Sequence, residues 1–143
     1  MAELDIQNKV DLQMVEATGL FYMYVKIDFA KQNIDDAHDY KIGRIADGWL
    51  ILGSFFRMPT DSTSVGTIDI GTTASATDLD AAIDVDAGSQ TGWTAMTPTY
   101  AAPVEVTADG NLWLEANSAD IEDGVLEMMF IIMAAPNDDS VVG

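Results

Sequence analysis

VLEMMFIIM, residues 125–133, is the stretch on which the reading of this chain turns. Side chains of an extended chain alternate between two faces, so Val125, Met129, Ile131 and Met133 fall on one side and Leu126, Met128, Phe130 and Ile132 on the other. Only Glu127 interrupts. A strand that covers one core alternates apolar with polar, whereas a run apolar on both sides is covered on both. Residues 49–58, WLILGSFFRM, read the same way, with Gly53, Ser54 and Arg57 as the small or polar exceptions. In a small all-β domain the second cover comes from another copy or another protein, so the expectation is an assembly component.

The rest of the composition agrees. A chain of 143 residues that is 48% apolar fits one domain burying roughly 68–70% of its unfolded surface. With no cysteine, no disulfide framework supports it, which suits a reducing compartment. Twenty-four acids face six bases, a formal charge of −18. Nucleic acid is excluded as a partner because binding it means neutralising phosphates with Lys and Arg, and anionic membranes are disfavoured likewise. No apolar run approaches the ~20 residues of a membrane helix. MAELDIQNKV has neither the basic nor the apolar region of a secretory signal, so the expectation is a protein that works where it is made or leaves in a particle.

Along the chain, residues 1–19 read as an arm in which Leu4 and Ile6, then Val10, Leu12 and Met14, alternate with polar residues. Residues 21–30 are an amphipathic strand with Phe21, Met23, Val25, Ile27 and Phe29 on one face. Strands follow at 40–45, 49–58 and 65–71. Residues 76–83 are predicted to form one or two helical turns capped by Thr77 or Asp78. In PVEVTADGNLWLE (103–115) a three-residue loop, Ala108-Asp109-Gly110, would pair Val106 with Leu112 and Val104 with Leu114 and put Gly110 in the left-handed conformation. That hairpin turns Trp113 outward beside Glu105 and Glu115. A turn at Glu122-Asp123-Gly124 leads into the last strand. The expected fold is all-β: an antiparallel jelly roll or β-sandwich of about eight strands over 20–135, with an extended N-terminal arm (1–19) and a polar C-terminal tail (136–143).

Catalytic machinery is thin. His38 is the sole histidine, set in DDAHD, and reads as a solvated loop residue; no G-x-S-x-G elbow accompanies it. Zinc and iron sites draw on several His or Cys residues, which this chain lacks. Asp78, Asp80, Asp84 and Asp86 in one region, and Asp35, Asp36 and Asp39 in another, offer hard oxygen ligands, but neither run fits the calcium-loop pattern. Capping and solubility account for them as well. No catalytic residue, metal or cofactor is expected, and the chain is not read as an enzyme.

The order of features resembles that of tailed-bacteriophage capsid decoration, or cement, proteins of jelly-roll or β-sandwich type. The likeness runs over DFA (28–30), the strand at 40–45 behind an acidic loop, the apolar strand at 49–58 and TIDIG (67–71). A Thr/Ala/Asp loop follows, and then the A-D-x-x-D-G-x-L entry at 119–126. The resemblance implies a non-enzymatic virion protein, commonly a homotrimer, on the outer capsid surface at three-fold or quasi-three-fold positions. It would bind the major capsid protein and its own copies and assemble in the host cytoplasm. Leu4, Ile6, Val10, Leu12, Met14, Trp113, Met129, Ile131 and Met133 are then the expected subunit and capsid contacts. The alternative is a lectin-like head or tail appendage in which Trp93, Tyr100 and Trp113 stack on the sugars of a host polysaccharide.

Overall fold

In the computed structural model the chain folds back on itself so that its first long strand pairs with its last. Residues 3–5, 10–15, 19–86, 91–98, 103–106 and 110–134 are described. The strands are β1 (Glu3–Asp5), β2 (Val10–Val15), β3 (Leu20–Asp28), β4 (Asp39–Arg44), β5 (Leu50–Thr60) and β6 (Thr67–Gly71), followed by β7 (Asp80–Asp84), β8 (Thr94–Ala95), β9 (Val104–Glu105), β10 (Asn111–Asn117) and β11 (Val125–Met133). No helix occurs among the described residues. One sheet runs β1-β4-β10-β6-β7; the other runs β2-β3-β11-β5-β8, with β9 also on β5. Taking β8 and β9 as one interrupted edge, β3 pairs β11, β4 pairs β10, β5 pairs β8/β9 and β6 pairs β7. First with last, second with next to last, and so inward: this is the jelly roll expected from the sequence. All pairings are antiparallel except β1 with β4, which is parallel.

Alternation decides what the two sheets enclose. Met23, Val25 and Ile27 from β3, Leu126, Met128, Phe130 and Ile132 from β11, and Ile51, Phe56 and Met58 from β5 meet Tyr40, Ile42, Ile68, Ile70, Leu112 and Leu114 across the sandwich, all buried. The doubly apolar run of β5 is resolved by a bulge. Ile132 pairs with Ile51 but Ile131 with Gly53, so Leu52 is the extra residue and the inward series shifts from Ile51 to Ser54, Phe56 and Met58.

Two local expectations fail. Residues 80–84 are an edge strand, not helical turns, because Leu79 N–H bonds Ile70 C=O and β7 continues along β6. The hairpin at 103–115 does not form either. Val106 exchanges its backbone hydrogen bonds with Gly48 and Trp49, and β9 lies on β5, whereas β10 lies between β4 and β6 in the opposite sheet. Local register favours the pairing of strands that are neighbours in sequence, whereas a jelly roll sends them to different sheets. Gly110 nevertheless has the expected positive φ of 69°, as does Gly124 at 93° in the turn before β11.

Side chains that alternate on β11 should separate cleanly in a denaturation experiment. Phe130→Ala, in the core, should cost about 3–5 kcal/mol in urea unfolding. Gly124→Ala should also destabilise, by about 1–3 kcal/mol, since its φ is left-handed and a Cβ would stand 2.8 Å from the Ser62 nitrogen.

Candidate functional site: the outer face of the six-stranded sheet

Register places the outward residues of β3, β11 and β5 in rows. Leu20, Met133 and Leu50 form one; Tyr22, Ile131 and Gly53 the next, with the bulged Leu52 beside them; then Tyr24, Met129 and Phe55; then Lys26, Glu127 and Arg57. The first three rows are apolar or aromatic. Tyr22, Leu52 and Ile131 remain 39%, 36% and 37% exposed, and Leu20, Leu50, Phe55, Met129 and Met133 are half-buried. Scattered apolar surface is ordinary, whereas contiguous apolar patches are characteristic of interaction surfaces, which makes this face the candidate site.

The fourth row closes the patch electrostatically. The buried Glu127 carboxylate accepts Arg57 Nε–H at 2.8 Å and the Tyr24 hydroxyl. Burial pushes its pKa up, since taking the charge out of water favours the neutral acid. Arg57 in turn lies over the Trp93 ring, 4.8 Å from the centroid, a cation–π contact. A charged row of two cations about one carboxylate therefore borders the apolar ones. On the inner side of the same sheet Phe21 and Trp49 stack at 5.1 Å and pack against the core.

Acids collect elsewhere. The loops after β3, β5, β7 and β10 are bonded together at one end of the sandwich: Ile34 bridges Ile121, Asp36 N–H bonds Asp120, Ser62 N–H bonds Val85 C=O, and Asp123 accepts from Ser62 Oγ and from the Thr63 amide and hydroxyl. Those bonds hold the Asp123 carboxyl below the usual range. At the same end Asp35, Asp36 and Asp120 bring carboxylate oxygens within 4.8 Å of one another, all exposed. Desolvation and the neighbouring Asp120 raise Asp36. The other acids weighed as calcium ligands are spread through the fold: Asp39 accepts from Ser75, Asp78 from Thr72, and Asp84 from the Asp86 amide. His38 Nε2 lies 3.9 Å from Asp35.

Of the expected contact residues, Met129, Ile131 and Met133 lie together on this face. Leu4 pairs with Tyr40 at the edge of the five-stranded sheet. Val10, Leu12 and Met14 take register positions opposite Val25, Met23 and Phe21, so this part of the arm extends the chain's own sheet. Ile6 and Tyr100 lie outside the described residues. Trp113 corrects its expectation: it sits on the outer side of the five-stranded sheet, yet only 3% of it is exposed. Lys41 lies over its ring at 5.5 Å, and Ala76 packs on its register partner Gly71. Trp93 and Trp113 therefore belong to opposite sheets and form no common stacking platform. Sequence reasoning missed Tyr22, Tyr24, Leu52 and Phe55 as parts of the face. The strand period carried the signal for the tyrosines, but the bulge concealed Leu52.

No family model matches this sequence, and no curated protein matches it either. Among solved structures, the chain is similar to a chain of the cyanophage Pam1 capsid asymmetric unit, with TM-score 0.63 and 16% identity over 84% of this chain and 88% of that one. It is also similar to a chain of the acidic stable capsid structure of Helicobacter pylori bacteriophage KHP30, with TM-score 0.60 and 14% identity over 87% and 94%. The expected likeness to phage capsid-associated proteins is met in the fold.

Removing the cation of the bordering row tests its electrostatics. Arg57→Ala should cost about 1–3 kcal/mol at neutral pH, by leaving a buried carboxylate short of a partner. A raised pKa means the native state holds its proton more tightly than the unfolded chain. The deficit should therefore shrink as pH falls and Glu127 is protonated, which urea melts at several pH values would record.

Proposed function

We propose that this chain is a virion structural protein, a decoration or cement protein that binds the outer surface of an icosahedral phage head as an oligomer, a trimer in the simplest case, and stabilises it. The observation that carries the reading is the near end-to-end fold likeness to chains in two phage capsid structures. Those chains are matched over 88% and 94% of their own length by a 143-residue chain. They are therefore small proteins of about this size, which suits an accessory subunit better than a shell-forming one. No constellation of nucleophile, base and orienting group was found among the described residues to favour an enzyme instead.

Physical chemistry supports the same assignment. Copies carrying a charge of −18 repel one another, so they can meet only where apolar burial, at about 25 cal/mol per Å², outweighs that repulsion. The outer face of the six-stranded sheet supplies apolar rows bordered by Lys26, Glu127 and Arg57, while the acids of the loop end can point away from the contact. In this reading Met129, Ile131 and Met133 pack on sister subunits and the major capsid protein. Strand addition at the opposite edges is discouraged: Pro59 interrupts the open side of β5, and β7 is short, bulged and acidic.

Native mass spectrometry at micromolar concentration should show an oligomer. Met129→Asp or Ile131→Asp should return it to monomer with its β-sheet circular dichroism intact, because an unpaired carboxylate buried in that contact costs about 3–5 kcal/mol, a hundredfold or more in association constant. A stable wild-type monomer would refute the oligomer. Antibody against the chain should label intact particles that contain it; label only after disruption would place it inside the shell.

A further inference from the structure

The outer side of the five-stranded sheet carries an arrangement that assembly does not use. Asp39 of β4, Glu115 of β10 and Asp69 of β6 stand directly opposite one another on adjacent strands, and Glu3 of β1 takes the next position in the same row. Like charges directly opposite destabilise a sheet, and Asp39 is only 4% exposed. Each described acid is nonetheless held. Asp69 accepts from Asn117 Nδ2 at 2.5 Å and from the Ala82 amide at 2.8 Å. Asp39 accepts the Ser75 hydroxyl at 3.1–3.2 Å. Glu115 stands between Asp39 and Asp69 in register, on the same face as both. Two carboxyl groups brought opposite each other can hydrogen-bond only when one of them carries a proton. Desolvation first, then the bond to Asp39 and the charges of Asp39 and Asp69, raise the Glu115 pKa against the opposing bond from Ser75. Lys41, the cation of β4 on this face, is engaged with Trp113. Asp78 of the crossing segment is occupied by the Thr72 amide and hydroxyl, and Asp5 of β1 lies opposite Lys41 in register.

Ser75 belongs to residues 72–79, which cross the sheet as a strap. It has a φ of +61°, a conformation that persists only where surrounding contacts enforce it. Beside it Ala76 sits so close to Gly71 that a Cβ there would come within 2.5 Å of the Ala76 carbonyl oxygen. Gly71 is the register partner of Trp113, which places Ala76 of the strap beside this tryptophan, itself only 3% exposed.

We propose that the strap is a proton-operated latch: a proton on Glu115, opposite Asp39 and beside Ser75, holds residues 72–79 closed beside Trp113, and its loss as pH rises loosens the strap. The sign follows from linkage. A carboxyl that holds its proton more tightly when folded contributes stability that is complete below its unfolded pKa and is lost as pH rises through its folded one. The latch closes in acid.

The test uses the full chain carrying Trp49→Phe and Trp93→Phe, which leaves Trp113 as its sole tryptophan. Acrylamide quenching is followed from about pH 8 to about pH 4.5, a range that brackets a raised carboxyl. Quenching should fall severalfold toward the acid end. Glu115→Gln, whose amide donates to Asp39 at every pH, should quench weakly throughout, and Ser75→Ala should quench strongly even in acid. A pH-independent quenching constant, or an undiminished pH response in Glu115→Gln, would overturn the latch. Amide exchange in the unmutated chain gives an independent reading should a variant not fold. Protection at Ala76 and Leu79, corrected for intrinsic rates, should fall with rising pH while Phe130 stays protected. Parallel behaviour at all three positions would also refute it.

Discussion

The antiparallel pairing of Leu20–Asp28 with Val125–Met133 is the constraint on which the rest of the structure depends. It joins the two ends of the described core over nine residue pairs, from Leu20 with Met133 to Asp28 with Val125. Once these strands are adjacent, the remaining chain is a long loop that must collapse onto itself, and pairing inward from both ends satisfies its backbone groups. It is also a demanding contact. Its partners are about a hundred residues apart in sequence, so most of the loop-closure entropy is lost before the pairing is made. A buried run such as Leu126, Met128, Phe130 and Ile132 on β11, facing Met23, Val25 and Ile27 on β3 from the same side of one sheet, provides the apolar burial that offsets that loss.

The same strand explains why the molecule has an open face. β11 lies between β3 and β5 and cannot be polar on its outer side without surrounding a charge with two neighbouring strands. Where it does place a carboxylate, at Glu127, the register puts Lys26 and Arg57 on either side and Tyr24 reaches the second oxygen. Where it places Met129 and Ile131, the flanking strands answer with Tyr24 and Phe55 and with Tyr22 and Gly53. The face is thus organised row by row, and each row is internally matched.

Much of this was legible in residues 20–28, 67–71 and 125–133, where the two-residue period runs unbroken, and at Gly110 and Gly124, which mark turns. The fold class and the inward series of β3 and β11 follow from that period alone. What escaped was of two kinds. Alternation is blind to a bulge, so the shift at Leu52 and Gly53 could not be placed from WLILGSFFRM. Local register is blind to topology, so PVEVTADGNLWLE looked like a hairpin although its halves serve different sheets. The position of Trp113 was half legible: its side of the sheet followed from the alternation of Leu112 and Leu114, but its burial did not. Beside it lies a polar-looking segment, residues 72–79, held by Ser75, Asp78 and a glycine that admits Ala76. Nothing in the helix-like spacing of that segment announces it.

The two outer faces consequently differ in kind. The five-stranded sheet is roofed by its own chain, with carboxylates and a serine doing what apolar side chains do elsewhere, and so its cover responds to protons. The six-stranded sheet has no such roof over its central rows among the described residues, and the exposed side chains there are apolar or aromatic. In the proposed assembly the open apolar face is the side on which the chain would meet its copies. Burying that face would remove apolar surface from water, which opposes the like-charge repulsion. Both asymmetries follow from one choice: a long strand, β11, given apolar residues on both sides, in a fold whose own crossing strap shields the other sheet.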